Sequence, residues 1–323
     1  DLAGRAVLEA FELTDKAEID ILRTTKFLEK LKQFDLAEER LEEGLKAFTE
    51  SEEIAEMKGS LLFLQEKDED AVSWFQNVAE AAPSGQLVRI ANLLIREDHA
   101  GTALELLQSR RKDLSDDFAF LEALIQLSAR EDERDSIEND TLAHLTLAGS
   151  PDELDRALSI ATSTFSKSEH REPLLEKLKA MSDQIPAEIS LTALLLSREG
   201  ETAEGITLLQ DAAKSSEGAD RVLFLQQQLL IFRRDKDWGN SAEVAEALFN
   251  EPGGKTSQNI KNLIGILELA GREEDALQRI EEWKTLSPGS IAPWTQEADL
   301  LYRLDRGDAA IAQLRNAASQ FSA

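Results

Sequence analysis

The sequence predicts an all-α fold, a solenoid built from antiparallel helix pairs. Apolar residues recur at helical intervals through the whole chain of 323 residues. The stretch from Ser257 to Ala323 also contains one pattern twice in direct succession. The first copy contains Ile260, Leu263, Ile264, Leu267, Ala276, Ile280 and Pro288, and the second contains Trp294, Ala298, Leu301, Ala310 and Leu314. A repeat of this kind must stack on its neighbours to bury its apolar face.

The two copies share their spacing with a known helical repeat. The pattern W-x2-L-G-x2-Y, followed by A-x3-F and then P, describes a helix-turn-helix unit of about 34 residues. On these residues the chain resembles the tetratricopeptide repeat (TPR) family. The resemblance implies a TPR-like α–α superhelix whose concave groove holds a partner protein or peptide.

In this family each repeat has one small residue at the point where the two helices of a pair come closest. We use the spacing of these small residues as a ruler to place the repeats. The small residues are Ala3, Ala37, Ala71, Ala103, Gly205, Ala242, Ala276 and Ala310. Gly205 lies three repeat lengths after Ala103, so two further repeats fit between them. We expect a single solenoid over residues 1–323, with a half repeat at 1–14, regular repeats at 18–112, degenerate repeats at 113–186 and regular repeats at 187–323.

The regular repeats of the first half each pair two amphipathic helices. Residues 18–31 pair with 35–48, and residues 52–65 pair with 69–81. The second of these pairs matches the family pattern at Gly59, Leu62, Ala71, Phe75 and Pro83. A third pair follows between Leu87 and Leu107.

The middle of the chain keeps helical periodicity but loses the repeat signature. The ruler falls on Ile137 and Arg171, and neither residue is small. Because an arginine cannot fill a close helix contact, we expect the register or the packing angle to shift there. Ser150, Pro151 and Glu153 form a good helix start, with a possible capping box. A competing division pairs 138–149 with 152–166 and leaves two helices unpaired.

The second half returns to the regular pattern. Residues 187–198 pair with 202–216, and residues 220–234 pair with 240–250. We expect an unusually long turn in the latter pair, because it contains Trp238-Gly239. The two copies that begin at Ser257 complete the chain.

Composition narrows the classes of partner. The chain carries 36 basic and 63 acidic residues, a net charge of −27, and such a surface repels nucleic acid and anionic lipid. There is no cysteine, so disulfides and thiolate chemistry are excluded, but the compartment, cytoplasmic or exported, is left open. No apolar run approaches a membrane span, so we expect no membrane insertion. The helix positions at both ends suggest self-association through open ends, or a longer chain.

Candidate catalytic groups are sparse. His99, His144 and His170 stand apart from one another, with no HExxH motif and no Ser-His-Asp set. The acidic runs fit helix starts and solvated faces. The segment 252–256 contains two glycines and a lysine but lacks the spacing of a phosphate loop. We therefore expect no enzyme activity, no metal and no cofactor.

The resemblance places the partner-binding residues on the first helix of each pair. Carried over position by position, the concave face consists of Arg23, Lys26, Arg89, Asn92, Arg96, Gln227, Arg234, Lys261, Asn262, Gln296, Asp299, Tyr302 and Arg303. The family's carboxylate clamp is not matched, since Lys26 stands where Asn is needed and Gly265 leaves Lys261 without its Asn. Because the set is mostly basic and amide, the expected partner is acidic or hydrogen-bonding at the contact.

Two alternatives to partner binding remain open at this point. The first-helix faces could be merely soluble, and the chain could be an architectural segment of a larger protein with no ligand of its own. Tyr302 could be a groove anchor or a core residue.

Overall fold

A computed structural model describes residues 6, 7, 9, 11, 17–133 and 136–321. Every regular element within these residues is a helix, so the predicted all-α class is confirmed. The helices are α1 (Glu18–Lys30), α2 (Phe34–Ala47), α3 (Glu52–Leu64), α4 (Asp68–Ala79), α5 (Ser84–Arg96), α6 (Ala100–Arg110), α7 (Phe118–Arg130), α8 (Ile137–Leu147), α9 (Pro151–Thr164), α10 (Ser168–Ala180), α11 (Pro186–Glu199), α12 (Thr202–Ser215), α13 (Gly218–Arg234), α14 (Trp238–Asn250), α15 (Ser257–Leu269), α16 (Glu273–Leu286), α17 (Ala292–Arg303) and α18 (Gly307–Phe321). The half repeat expected at 1–14 lies almost entirely outside the described residues.

The chain forms two compact units, residues 1–160 and residues 161–323. The boundary falls inside α9. In the first unit, each helix from α1 to α8 packs on the next one along the chain. The odd-numbered helices α1, α3, α5 and α7 also contact one another in a row, so they are the first helices of the pairs. This row places α7 as a first helix and α8 as its second.

In the second unit, consecutive helices from α10 to α18 pack in the same way. Helix α11 is the most deeply enclosed, with ten of its fourteen residues buried. Gly205 at the start of α12 explains how α12 approaches α11 so closely. A Cβ at Gly205 would lie 2.6 Å from the carbonyl oxygen of Ala193. Only glycine fits this contact without moving backbone.

Burial follows the ruler of small residues. Ala37, Ala71, Ala103, Ala242 and Ala276 are fully buried. In the first unit the closest approach of α3 and α4 depends on a glycine, because a Cβ at residue 59 would overlap the buried ring of Phe75. The residues that match the family pattern are thus those that let two helices of a pair touch.

The turns between the two helices of a pair share one backbone geometry. A residue in the left-handed conformation ends the first helix at Lys32, Glu66, Asp98, Asp132, Gly200, Lys236, Gly271 and Asp305. In each turn the next N–H donates to a carbonyl five residues back, for example His99 N to Leu94 O at 2.8 Å. This 6→1 bond is that of a Schellman motif, which satisfies carbonyl groups at a helix end. The predicted long turn before α14 is therefore wrong, because Trp238 is already the first residue of that helix.

The turn between α9 and α10 differs from the other eight. Arg171 is buried there, and its Nη1 donates to the carbonyls of Phe165 at 3.3 Å and Ser166 at 2.6 Å. Its Nε donates to the Glu199 carboxylate. The guanidinium thus satisfies the end of α9 where other pairs use a left-handed residue. Arg171 is therefore held at this position by hydrogen bonds and an ion pair, and not by the close helix contact that a small residue makes in other pairs.

Ser150 caps α9 as predicted, but the Glu153 carboxylate accepts from Gly149 and does not close a capping box with the N–H of Ser150. The backbone N–H of Glu153 donates to Ser150 Oγ at 3.3 Å, while the Glu153 carboxylate accepts from Gly149 N at 2.8 Å. No helix in the described part of the chain is both long and apolar enough to span a bilayer.

Candidate functional site

The first unit contains a groove of about 450 Å³ along its row of first helices. Helices α5 and α7 form its walls, and Arg156 of α9 reaches its edge. Its apolar lining consists of Val88, Ala91, Ile95, Leu107, Ala119, Ala123 and Leu127. Its polar lining consists of Asn92, Glu122, Gln126, Arg130 and Arg156. A cleft with an apolar floor and a few polar groups is the usual form of a binding site.

The groove exists because α7 presents small side chains toward α5. Ala119 and Ala123 are one helical turn apart, and larger residues there would fill the space. Asn92 and Gln126 are exposed, and neither makes a hydrogen bond within the described residues. The two amides stand one repeat length apart, so they occupy the same position in successive pairs.

The charged groups at this groove fall into two classes. Arg156 is engaged, because its guanidinium lies 3.7 Å from the Glu122 carboxylate and over the Phe118 ring at 5.3 Å. Arg130 is exposed, and its nearest carboxylate is that of the adjacent Glu131, at 3.7 Å from Nε. Arg96 is exposed and has no ion pair among the described residues. Arg130 is therefore a lining guanidinium that no other described helix neutralises. Arg96 lies outside the lining, one helical turn after the lining residue Asn92.

Arg89 is committed to a neighbouring helix. It reaches back from α5 to α3, where Nε donates to Glu56 at 2.9 Å and Nη2 donates to Glu52. Burial raises the pKa of the Glu56 carboxyl, and the hydrogen bond from Arg89 opposes that shift. The positive charge predicted for the groove at Arg89 is thus largely balanced.

The remaining predicted residues of the first unit lie on α1. Arg23 and Lys26 are both exposed and form no ion pair with the described residues. They lie two helix pairs before the groove and do not line it. The structure therefore brings Asn92 into the groove and places Arg96 one helical turn beyond it, at the end of α5, while Arg23 and Lys26 lie apart.

Four predicted residues of the second unit lie on α13 and α15. Gln227 is buried, and Arg234 turns toward α11, where Nη2 donates to Ser197 Oγ at 2.6 Å. Lys261 and Asn262 are exposed on α15, and Asn262 accepts a hydrogen bond from Gln258 at 3.0 Å. These residues do not converge on one point.

The other four predicted residues gather at the end of α17. Glu268 of α15 accepts hydrogen bonds from Gln296 at 2.8 Å and from Arg303 at 2.6 Å. Arg303 also donates to Asp299 at 3.1 Å. Tyr302 is 72% exposed beside this cluster, so the alternative of a core residue is wrong.

Sequence reasoning missed Glu122, Gln126, Arg130 and Arg156. Gln126 and Arg130 each follow Asn92 and Arg96 by one repeat length, so the ruler could have found them. They were passed over because the repeat signature fades between residues 113 and 186. Glu268 was missed because carboxylates were assigned to solvated faces.

A second cavity of about 620 Å³ lies in the second unit between α10, α11 and α12. Leu196, Ala203 and Leu208 give it a largely apolar lining. Its charges are paired internally, since Lys179 Nζ lies 3.3 Å from Glu204 and Lys214 Nζ lies 3.0 Å from Asp211. The cavity therefore has space for a ligand, but the charged residues among its described lining residues are all paired.

The histidines do not assemble a reactive centre. His144 is buried with its ring 4.1 Å from that of Phe118, and its Nε2 has no hydrogen-bond partner in the described structure. Burial lowers the pKa of His144 to about 4, and the nearby Arg156 acts in the same direction. Within residues 17–133 and 136–321, His, Asp and Glu side chains form no group of three that could hold a metal ion.

Comparisons with known proteins give likenesses to solved structures. No family model matches the chain, and no curated protein matches it. It is similar to a chain of the Naa15/Naa10 complex bound to HypK-THB, with 13% identity over 98% of this chain and 65% of that one, at a TM-score of 0.36. It is similar to YrrB, described as a TPR protein with an unusual peptide-binding site, with 18% identity over 61% of this chain and 99% of that one, at a TM-score of 0.34. It is also similar to yeast Tom70, with 14% identity over 88% of this chain and 60% of the Tom70 chain, at a TM-score of 0.39.

Proposed function

We propose that this protein is a non-catalytic scaffold that binds a partner protein or peptide along its first helices. The groove between α5 and α7 carries the proposal. Its apolar floor lies beside the amides of Asn92 and Gln126 and the guanidinium of Arg130, and Arg96 follows one helical turn after Asn92. None of these four side chains makes a hydrogen bond or ion pair with another described helix. Side chains with an internal structural role would be paired with another helix of the chain. These side chains are instead available to a bound partner.

The second unit, considered by itself, also offers residues for partner binding. Lys261, Asn262 and Tyr302 in the second unit are exposed first-helix residues with free surface to offer. An exposed tyrosine beside an arginine is the kind of residue that anchors a partner. We assign no cofactor and no nucleic acid to this function, since the side chains described above are those of a recognition surface on an acidic protein.

One observation favours the alternative of a purely architectural segment. Arg89 and Arg303 bind carboxylates of the preceding first helix, so part of the predicted basic set holds pairs together. A chain whose first-helix charges all served this purpose would need no partner. Arg96 and Arg130 distinguish the two functions, because they have no such carboxylate in the described structure.

Groove blocking tests the scaffold proposal. Ala119→Trp fills the groove from an exposed position of α7, and Ala309→Trp places the same ring on an exposed position of α18. Proteins captured from the source cells by the wild type and by the Ala309→Trp control, identified by mass spectrometry, should be lost with Ala119→Trp. Equal capture by all three chains, with unchanged helicity by circular dichroism, would favour the architectural alternative.

Self-association is a separate possibility that the same preparation tests. Light scattering of the wild type across a range of concentrations should show whether molar mass rises with concentration. A constant monomer mass would argue against self-association without affecting the groove proposal.

A further inference from the structure

We infer that the groove between α5 and α7 takes an extended segment of a partner with acidic side chains three residues apart. This inference rests on the proposed scaffold function and specifies the chemistry of its partner. It follows from the positions of two arginines and two amides in successive helix pairs.

The two arginines occupy equivalent positions on their helices, where Arg130 lines the groove and Arg96 lies one helical turn past the lining residue Asn92. Arg96 is the last residue of α5 and Arg130 is the last residue of α7, one repeat length later. Both are exposed, and neither is neutralised by a carboxylate of another helix in the described structure. On a chain with a net charge of −27, two such guanidinium groups in successive helix pairs attract an anion locally.

The spacing of the arginines selects the conformation of the ligand. Helices α5 and α7 are in contact, and packed helices lie about 8–10 Å apart between axes. An extended polyproline-type segment rises about 3.1 Å per residue, with every third side chain on the same side. Three residues therefore span about 9 Å, so residues i and i+3 reach Arg96 and Arg130 together. In the same polyproline-type conformation, residues i and i+2 span only about 6 Å and point to different sides.

The rest of the groove suits the backbone between the two acidic residues. An extended segment has no internal hydrogen bonds, so its peptide groups need partners when they are buried. Asn92 and Gln126 lie one turn before Arg96 and Arg130 and can each donate and accept. The alanines at 119 and 123 leave room for an apolar side chain at one of the intervening positions.

Two short synthetic peptides test the spacing. Both have a Pro/Ser background and two glutamates, placed at i and i+3 in one and at i and i+2 in the other. Fluorescence anisotropy with the full chain at low salt should give about two- to fivefold tighter binding for the i, i+3 peptide, the factor expected from one gained exposed ion pair. The difference should shrink as salt is added.

Charge reversal identifies the protein groups. Arg96→Glu and Arg130→Glu should each reduce the binding of the i, i+3 peptide to that of the i, i+2 peptide. Arg315→Glu on α18, exposed and with the same charge change, should leave it unchanged. The Arg96→Glu/Arg130→Glu double variant should instead prefer a peptide with lysines at i and i+3. Circular dichroism checks that all variants keep wild-type helicity.

Some outcomes would overturn the inference. Equal affinity for the two spacings, or binding that neither Arg→Glu variant changes, shows that the arginines do not read acidic residues. If light scattering shows a dimer that the double variant dissociates, the occupant is a second copy. In these cases the scaffold proposal still stands or falls by the Ala119→Trp capture, which does not depend on the acidity of the partner.

Discussion

At the scale of single residues, two glycines set how closely helices approach. The Cβ missing from Gly205 would meet a backbone carbonyl, and that of Gly59 would meet a ring that is itself fully buried. Neither obstacle can move aside cheaply, in contrast to the end of a flexible side chain. The two positions thus behave as spacers of the helix pairs.

Gly205→Ala should therefore lower the free energy of unfolding by about 1–3 kcal/mol, the usual cost of overpacking. Gly101→Ala is the matched control, because it also lies near the start of a second helix and has open space around it. That control should gain up to about 1 kcal/mol from helix propensity. Urea denaturation followed by circular dichroism measures both. Equal effects would mean that α12 can shift away from α11.

His144 gives the molecule a defined acid sensitivity. The unfolded chain binds a proton at this ring near pH 6.5, whereas the folded ring has a pKa of about 4. Between these values the unfolded state holds more protons, so stability falls as the pH falls, and it is complete above about pH 6.5. A difference of this size corresponds to about 3 kcal/mol. Glu153 and Arg156 of α9 are the charged groups that act on the ring.

The free energy of unfolding of His144→Leu should depend less on pH than that of the wild type between pH 4 and 6.5. His99→Gln, at a turn in the same unit, is the control that removes a histidine elsewhere. Urea denaturation at several pH values gives the comparison. Parallel curves for the wild type and His144→Leu would show that carboxylates alone govern the acid response.

Most residue-level roles that followed from periodicity could be predicted from sequence, and those that depend on side-chain pairing could not. Burial of Ala37, Ala71 and Ala276 follows from a fixed spacing in a repeat. Arg89 binds Glu52 and Glu56 while Arg96 is unpaired among the described residues, and this difference depends on which carboxylates the preceding helix presents. Such pairing cannot be predicted from the sequence until the relative position of the two helices is known.

At the scale of elements, the side chain of Arg171 at the α9–α10 turn takes the place of the left-handed backbone residue found at the other turns. Eight turns satisfy the end of the first helix with a left-handed residue, and this one uses the guanidinium of Arg171. The sequence pattern showed that something was unusual at this position. It could not predict the hydrogen bonds that Arg171 donates, because the accepting carbonyl groups belong to residues 165 and 166, outside the repeat signature.

Arg171→Ala places the family's small residue at the expected position and should nevertheless destabilise the protein. It leaves the carbonyls of Phe165 and Ser166 without their donor, and loss of such buried hydrogen bonds to a charged group costs about 2–3 kcal/mol. Arg315→Ala, an exposed arginine on α18, is the control and should have little effect. Thermal unfolding monitored by circular dichroism compares the two. An Arg171→Ala chain as stable as the wild type would mean that water replaces the guanidinium.

At the scale of the whole chain, we expect the stretch between residues 113 and 186 to open first. It contains the turn without a Schellman motif and the boundary at residue 160. Local stability follows buried contacts and satisfied helix ends. Hydrogen exchange read by mass spectrometry should show peptides of α9 and α10 losing protection before those of α4 or α15. Uniform protection across all helices would contradict this expectation.

The left-handed turn residues also mark joints at which whole repeats could be exchanged. Glu66 and Asp98 have the same backbone conformation and the same 6→1 bond on either side of one complete unit. A chain joined from Glu66 directly to the residue after Asp98 would lose that unit while every remaining joint kept its geometry. The eight turns are therefore equivalent places at which a repeat could be removed or added without a change of turn geometry. A cut at the α9–α10 turn would instead break the hydrogen bonds of Arg171.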